Sequence, residues 1–276
     1  MNHDRQSASD NHPVIGAVSC ITIDGGDARA FSQAQFSADV DRLSPGHWQW
    51  NAWLDPQGRV RALMHLADAG DGRLLAVLRG GDAETIRAGL QRYVLRARVT
   101  LGIATFSGRA GPARPMGGVE QERGRIAVGY GDRSLELESG PAPSPADDSP
   151  AVHAWRLAEI RAGWPTLSAG AASFLPPALG LEHLGAVAFD KGCYPGQEIA
   201  ARLHYKGGHK RRLVLIRSAE PLRAGDTMQG DGPVSAQVLA ATEGPMGFEA
   251  LVVVDDKFPY NNELSNKIEV IQRFEP

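Results

Sequence analysis

The chain has 276 residues, 29 basic and 32 acidic side chains for a net charge of −3, and two cysteines. With 42% apolar residues it can fill one large core or two to three small ones, which excludes a disordered or collagen-like polymer. Cys20 and Cys193 stand 173 positions apart and outside any CxxC, which excludes a disulfide framework, a four-cysteine zinc site and an all-cysteine iron-sulfur cluster within one chain. Such thiol usage suits the cytoplasm.

No apolar run approaches the ~20 residues that span a bilayer, so no membrane helix is expected. Pro13 to Ile23 resembles a signal-peptide core ending at Cys20, but Asp4, Arg5 and Asp10 stand where a positive lead belongs. Its Val, Ile and Thr content predicts a first β-strand stopped at Gly25-Gly26, with Cys20 a strand residue without an assigned role. Asp27 is expected to cap a helix through about Val40, with Phe31, Ala34 and Ala38 on one face. Strands follow at Trp48 to Leu54, Val60 to Ala67 and Leu74 to Leu78. The turns between them are Asp55-Pro56-Gln57-Gly58 and Ala69-Gly70-Asp71-Gly72. Asp82 begins a second helix carrying Ile86, Leu90 and Tyr93, and a strand near Ala97 to Phe106 completes an α+β unit.

Two loops are expected next, Ser107 to Gly118 and Ser139 to Pro150. The second holds four prolines in twelve residues and reads as a boundary. Ser149 as N-cap and Pro150 at the first helical position predict a helix to Gly163, with Trp155, Ala158 and Ala162 on one face. From Arg211 onward, short strands at Leu213 to Arg217, Val234 to Ala241, Ala250 to Val254 and Ile268 to Ile271 predict a small β-barrel or sandwich. The expected organisation is an N-terminal α+β module over 1–110, a second α/β module over 111–210 and a C-terminal barrel over 211–276.

Chemistry concentrates between Phe189 and Arg212. Between Ile199 and Ala219 lie Arg202, Lys206, Lys210, Arg211, Arg212 and Arg217 with no acid, a window of +6 that favours a polyanion. The same residues also suit a solvated strand-loop-strand edge, with Gly207-Gly208 as a hairpin. Neither the Walker spacing nor G-x-G-x-x-G is present, and no aromatic-basic module of the RNP1 kind marks a nucleic-acid binder. Cys193 sits between Lys191 and the Tyr194-Pro195-Gly196 turn. A neighbouring ammonium favours the thiolate that attacks electrophiles or binds metal, with His204 and His209 as nearby bases or ligands. The alternative is a small, inert, buried thiol.

The run Lys191-Gly192-Cys193-Tyr194-Pro195-Gly196-Gln197-Glu198, followed by Ala201-Arg202 and Lys210-Arg211, resembles the signature of the YgfZ family of folate-binding proteins, relatives of the glycine-cleavage T-protein. The likeness extends to Phe31–Val40, Asp55–Arg61, Arg92–Leu95, Trp155–Pro165 and Leu181–Phe189. It implies ferredoxin-like α/β modules around a central channel plus a C-terminal β-barrel. It also implies bound tetrahydrofolate and a role supporting iron-sulfur proteins, including a radical enzyme that thiomethylates tRNA. On that match Cys193 is the reactive residue and Trp155 contacts folate, its indole a flat surface for a pterin. Without the resemblance Trp155 reads as a core aromatic. Arg202, Lys206, Lys210 and Arg211 would attract the glutamate tail or another anionic partner, and direct tRNA contact stays open. No metal ligands are assigned. The chain departs from the family at Pro177 and Gly180, where an amide pair is absent, and at Arg161, where a carboxylate is common. Gly58 to Leu63 lacks the aspartate that aminomethyl transfer requires. A folate-dependent one-carbon transferase and a non-catalytic scaffold remain the alternatives to an accessory protein.

Overall fold

The computed structural model describes residues 12–70, 72–122, 124–140, 149–168, 174–229, 235–258 and 268–274. Its first sheet is built from Val14–Asp24 (β1), Trp48–Leu54 (β2), Val60–Gly70 (β3), Arg73–Leu78 (β4), Thr100–Gly111 (β5), Val119–Glu122 (β6), Arg125–Gly129 (β7) and Ser134–Glu138 (β8). The strands are antiparallel in the order β2-β3-β4-β1-β5-β8-β7-β6. Side chains alternate between faces, so Ile21, Met64 and Leu74 point into one core while Cys20, Leu63 and Leu75 point into another. The first core is closed by Ala28–Gln35 (α1) and Ala83–Gln91 (α2) through Phe31, Ile86 and Leu90. Asp82 caps α2 by accepting a hydrogen bond from the Thr85 amide.

The opposite face is covered by Pro150–Arg161 (α3), by the segment after Phe174, and by a second sheet. That sheet comprises Arg211–Ser218 (β9), Thr227–Gln229 (β10), Ser235–Gly244 (β11), Gly247–Asp255 (β12) and Ile268–Phe274 (β13), ordered β10-β11-β12-β9-β13. Leu213 and Leu215 of β9 join the shared core, while Val214 and Ile216 pack with Val238 and Val252 in a core of their own. The α+β expectation is borne out by this arrangement of strands and covering helices.

Several local expectations change. The first helix stops at Gln35 rather than near Val40 because Phe36 pairs with Trp53. Ser37 meanwhile donates to the Ala186 carbonyl and accepts from the Ala52 amide. Ala34, expected to share the face of Phe31, is exposed. Ser107 to Gly111, expected as loop, continues β5 because β1 and β8 flank it on both sides. The β6, β7 and β8 strands and the short β10 had no sequence-derived expectation. The first part of the basic run is helical: Gln197–Lys206 (α4) buries Ala200 and Leu203 and exposes Arg202, Tyr205 and Lys206. Its residues are mostly good helix formers, and Gly207 ends the helix rather than turning a hairpin. Much of the expected Ser139 to Pro150 boundary, residues 141–148, lies outside the described residues.

Gly196, at φ 76°, opens α4 where the chain crosses the β2–β3 turn. A Cβ there would stand 2.5 Å from the Asp55 oxygen and 2.8 Å from Gly58 Cα. Gly196→Ala is therefore expected to cost ~3 kcal/mol or more in urea unfolding, combining left-handed strain with forced backbone displacement. Gly185, at φ 66° with nothing within 4 Å of a built Cβ, is the comparison. Its alanine variant should lose only about 1–2 kcal/mol. Equal losses would show that the crossing is not tight.

Candidate functional site

The signature segment is held against the first sheet by its own side chains. Lys191 Nζ donates to the carbonyls of Phe36 and Ala38, each at 2.8 Å, and lies 5.2 Å from the centre of the Tyr194 ring. Burial lowers the Lys191 ammonium to about 8, against the opposing pull of Asp39 and Asp41. The Tyr194 hydroxyl donates to the Ala188 carbonyl at 3.0 Å, and burial pushes its phenol up. Gln197 donates from Nε2 to the Lys191 carbonyl, and Asp190 pairs with Arg42 at 2.6 Å. Gly192, Cys193 and Glu198 are exposed. The expected burial in the alternative reading of Cys193 is thereby corrected, while Lys191 gives its hydrogen bonds to backbone carbonyls rather than to the thiol. His204 stacks on Phe189 and pairs with Glu182 at 2.8 Å. Cys20 is fully buried, and burial pushes its thiol up.

Trp155 lies in a different place. Ser149 and Pro150 start α3 as expected, and the helix turns Trp155 into a cavity of about 240 Å³ beneath β1 and β4. Tyr130 is 5.8 Å from the indole, ring centre to ring centre, and the Arg133 guanidinium carbon is 5.0 Å from it. Glu159, one helical turn beyond Trp155, lines the same cavity and binds Arg79 at 2.6 Å. Beside it, the Tyr130 hydroxyl and His65 Nδ1 are 2.9 Å apart. Burial, reinforced by the Arg79 charge, keeps that imidazole neutral and well below the usual histidine range. Sequence reading missed Glu159, Arg79 and Tyr130. The four-residue spacing of Trp155 and Glu159 was a usable signal for the first of these.

Arg161 turns from this cavity to bind Glu249 of β12 through two hydrogen bonds of 2.7 and 2.6 Å. Glu159, two residues earlier on the helix, is the carboxylate that lines the cavity. Pro177 and Gly180 belong to a buried turn against the second sheet, where a Cβ on Gly180 would meet Leu213 and Phe274. Arg202, Lys210 and Arg211 line a separate cleft of about 770 Å³, and Lys206 is exposed outside it. The structure therefore divides the expected site residues among an exposed thiol, an aromatic cavity and a basic cleft.

Comparison with known proteins gives two kinds of relative. The chain is 27% identical over 228 residues to a tRNA-modifying protein YgfZ of Escherichia coli, covering 72% of this chain and 69% of that protein. It is 28% identical over 255 residues to the protein of that name in Shigella dysenteriae, covering 79% and 78%. An uncharacterized protein of Haemophilus influenzae is 27% identical over 204 residues, covering 71% and 70%. Among solved structures, the glycine cleavage system aminomethyltransferase T of Bartonella henselae superposes with a TM-score of 0.57 at 14% identity, covering 87% of this chain and 78% of that one. No family model matches. The chain is thus a homologue of proteins named YgfZ and has a T-protein-like fold. Among the described residues no helix is long and apolar enough to cross a membrane.

The setting of Lys191 predicts a measurable titration. Its Cε resonance should shift with a midpoint near pH 8. Above that pH the folded chain holds a neutral amine while the unfolded chain keeps the proton to ~10.4, so the unfolded state binds more protons in that window. Stability relative to Lys191→Met should therefore rise as pH climbs from about 8 to about 10.4. A midpoint at the ordinary lysine value would show that the two carbonyl contacts outweigh burial.

Proposed function

We propose that this homologue of the YgfZ proteins is a cytoplasmic, tetrahydrofolate-binding accessory protein that supports iron-sulfur enzymes in tRNA modification. The observation that carries the folate assignment is the Trp155 cavity. Trp155 and Tyr130 provide aromatic surface, Glu159 provides carboxylate oxygens for ring N–H donors, and Arg79 has a buried Nε with no partner among the described residues. A heterocycle with both donor and acceptor edges satisfies that combination. At about 240 Å³ the cavity is smaller than a typical pocket for a whole drug-sized ligand, which suits a bicyclic ring with its tail directed outward.

Tetrahydrofolate supplies a carrier for a one-carbon unit. The protein's own part is to stack the ring on Trp155, orient it through Glu159 and Arg79, and exclude water with the apolar wall around Val18 and Leu135. Cys193 is the proposed reactive centre, handling a sulfur or a one-carbon unit or lending one thiolate to a cluster held by a partner. Its exposure suits contact with that partner. The T-protein-like fold favours aminomethyl transfer as a second reading, but Gly58 to Leu63 carries no carboxylate to steer it.

Two experiments test the reading. Titration with tetrahydrofolate should quench tryptophan fluorescence saturably, and Trp155→Ala should weaken binding at least ten-fold. Absence of saturable binding in the wild type removes the ligand. In an Escherichia coli strain lacking its own YgfZ, the wild type should restore tRNA thiomethylation and Cys193→Ala should not. Full rescue by the alanine variant reduces the protein to a scaffold.

A further inference from the structure

The basic run of α4 and β9 is not uniformly solvated. Arg212 binds Asp256 at 2.7 Å and Arg217 binds Glu269 at 2.7 Å, so these two charges are compensated. Arg202, Lys210 and Arg211 have no ion pair among the described residues, and they converge with Arg59 of the β2–β3 turn on one cleft. Asp255 is the single carboxylate residue lining it among the described residues, and one of its oxygens already accepts from the Lys257 amide. His209 lines the same space and has a buried Nδ1 with no partner among the described residues. The half-buried Leu175 and Ile199 give the cleft an apolar floor, with the buried Phe174 and Leu203 beneath the surface.

Four cations facing one acid repel one another until an anion joins them, so the wall is arranged for a negatively charged ligand. A phosphate ester carries up to two charges and three acceptor oxygens, which matches several convergent donors better than the two oxygens of a carboxylate. The apolar floor adds a requirement that inorganic phosphate leaves unmet. At about 770 Å³ the cleft lies within the range of small-ligand sites. Among the described residues, none lines both this cleft and the Trp155 cavity.

We propose that the cleft between α4 and the β2–β3 turn is a nucleotide site, separate from the Trp155 cavity. The phosphate sits among Arg59, Arg202, Lys210 and Arg211, and the base lies against Leu175 and Ile199. The nucleotide is either free or part of an RNA strand, and the chemistry of recognition is the same for both. This assignment stands independently of folate binding.

Calorimetric titration of the full chain with AMP, adenosine, inorganic phosphate and a short single-stranded oligoribonucleotide provides the test. AMP should bind saturably, with adenosine and phosphate each at least ten-fold weaker. The Arg202→Ala/Lys210→Ala variant changes two exposed side chains and should retain the wild-type circular dichroism. It should lose at least ten-fold in AMP affinity, whereas Trp155→Phe should leave AMP binding unchanged. An oligonucleotide bound at least ten-fold tighter than AMP, with steeper salt dependence, identifies an RNA strand as the source, and comparable affinities identify a free nucleotide. The proposal is overturned by no saturable binding of either AMP or the oligonucleotide, by unchanged affinity in the double variant, or by loss of AMP binding in Trp155→Phe.

Discussion

Because β3 is buried on both faces along most of its length, the first sheet requires apolar cover on each side, and the rest of the fold supplies it. Two short helices suffice on one side. The other face takes α3, the Phe174 segment and Leu213 and Leu215 of β9, which tie the second sheet to the first. Such two-sided burial has a functional result. The covering elements meet the sheet without filling every gap, and the aromatic cavity lies where α3 approaches β1 and β4.

Inside that cavity polar groups are few and mutually constrained. Arg79 and Glu159 are both largely buried, with side chains 11% and 15% exposed, so neither can be removed without stranding the other's charge. A pair of this kind adds little net stability, because desolvation offsets most of its attraction. It does hold a donor and an acceptor in defined positions beside Trp155. Arg161, by contrast, fastens the end of α3 to β12 and leaves the cavity wall to Glu159. The departure from the family pattern at Arg161 thus acts on the junction of helix and sheet.

The signature segment serves the fold as much as any chemistry. Lys191 and Gln197 make hydrogen bonds, Tyr194 packs and bonds to Ala188, and Gly196 permits a close backbone crossing. Once these are assigned to structure, Gly192, Cys193 and Glu198 are the exposed residues of the motif. The motif was readable as a unit from sequence, but this division of labour within it was not, because the partners at Phe36, Ala38 and Asp55 lie more than a hundred positions away.

Strands β1 to β4, the caps of α2 and α3, and the strand-rich C-terminal part follow from local signals: alternation, Asp82, Ser149-Pro150 and turn residues. The same local reading failed at Ser107 to Gly111 and at Phe36 to Ala38, where strand pairing imposed by distant segments overrides local composition. It also failed at α4, where a dense charge pattern masked the buried pair Ala200 and Leu203. Site residues divide along the same line. The basic run was singled out in the sequence by its charge, whereas Trp155 and the reactive reading of Cys193 came from the family resemblance of their segments. The structure alone decided that Trp155 shares its cavity with Glu159, Arg79 and Tyr130, while Arg202, Lys210 and Arg211 face another cleft. Residue type is local, whereas the neighbours that turn a residue into a site depend on how sheets and helices pack across the whole chain.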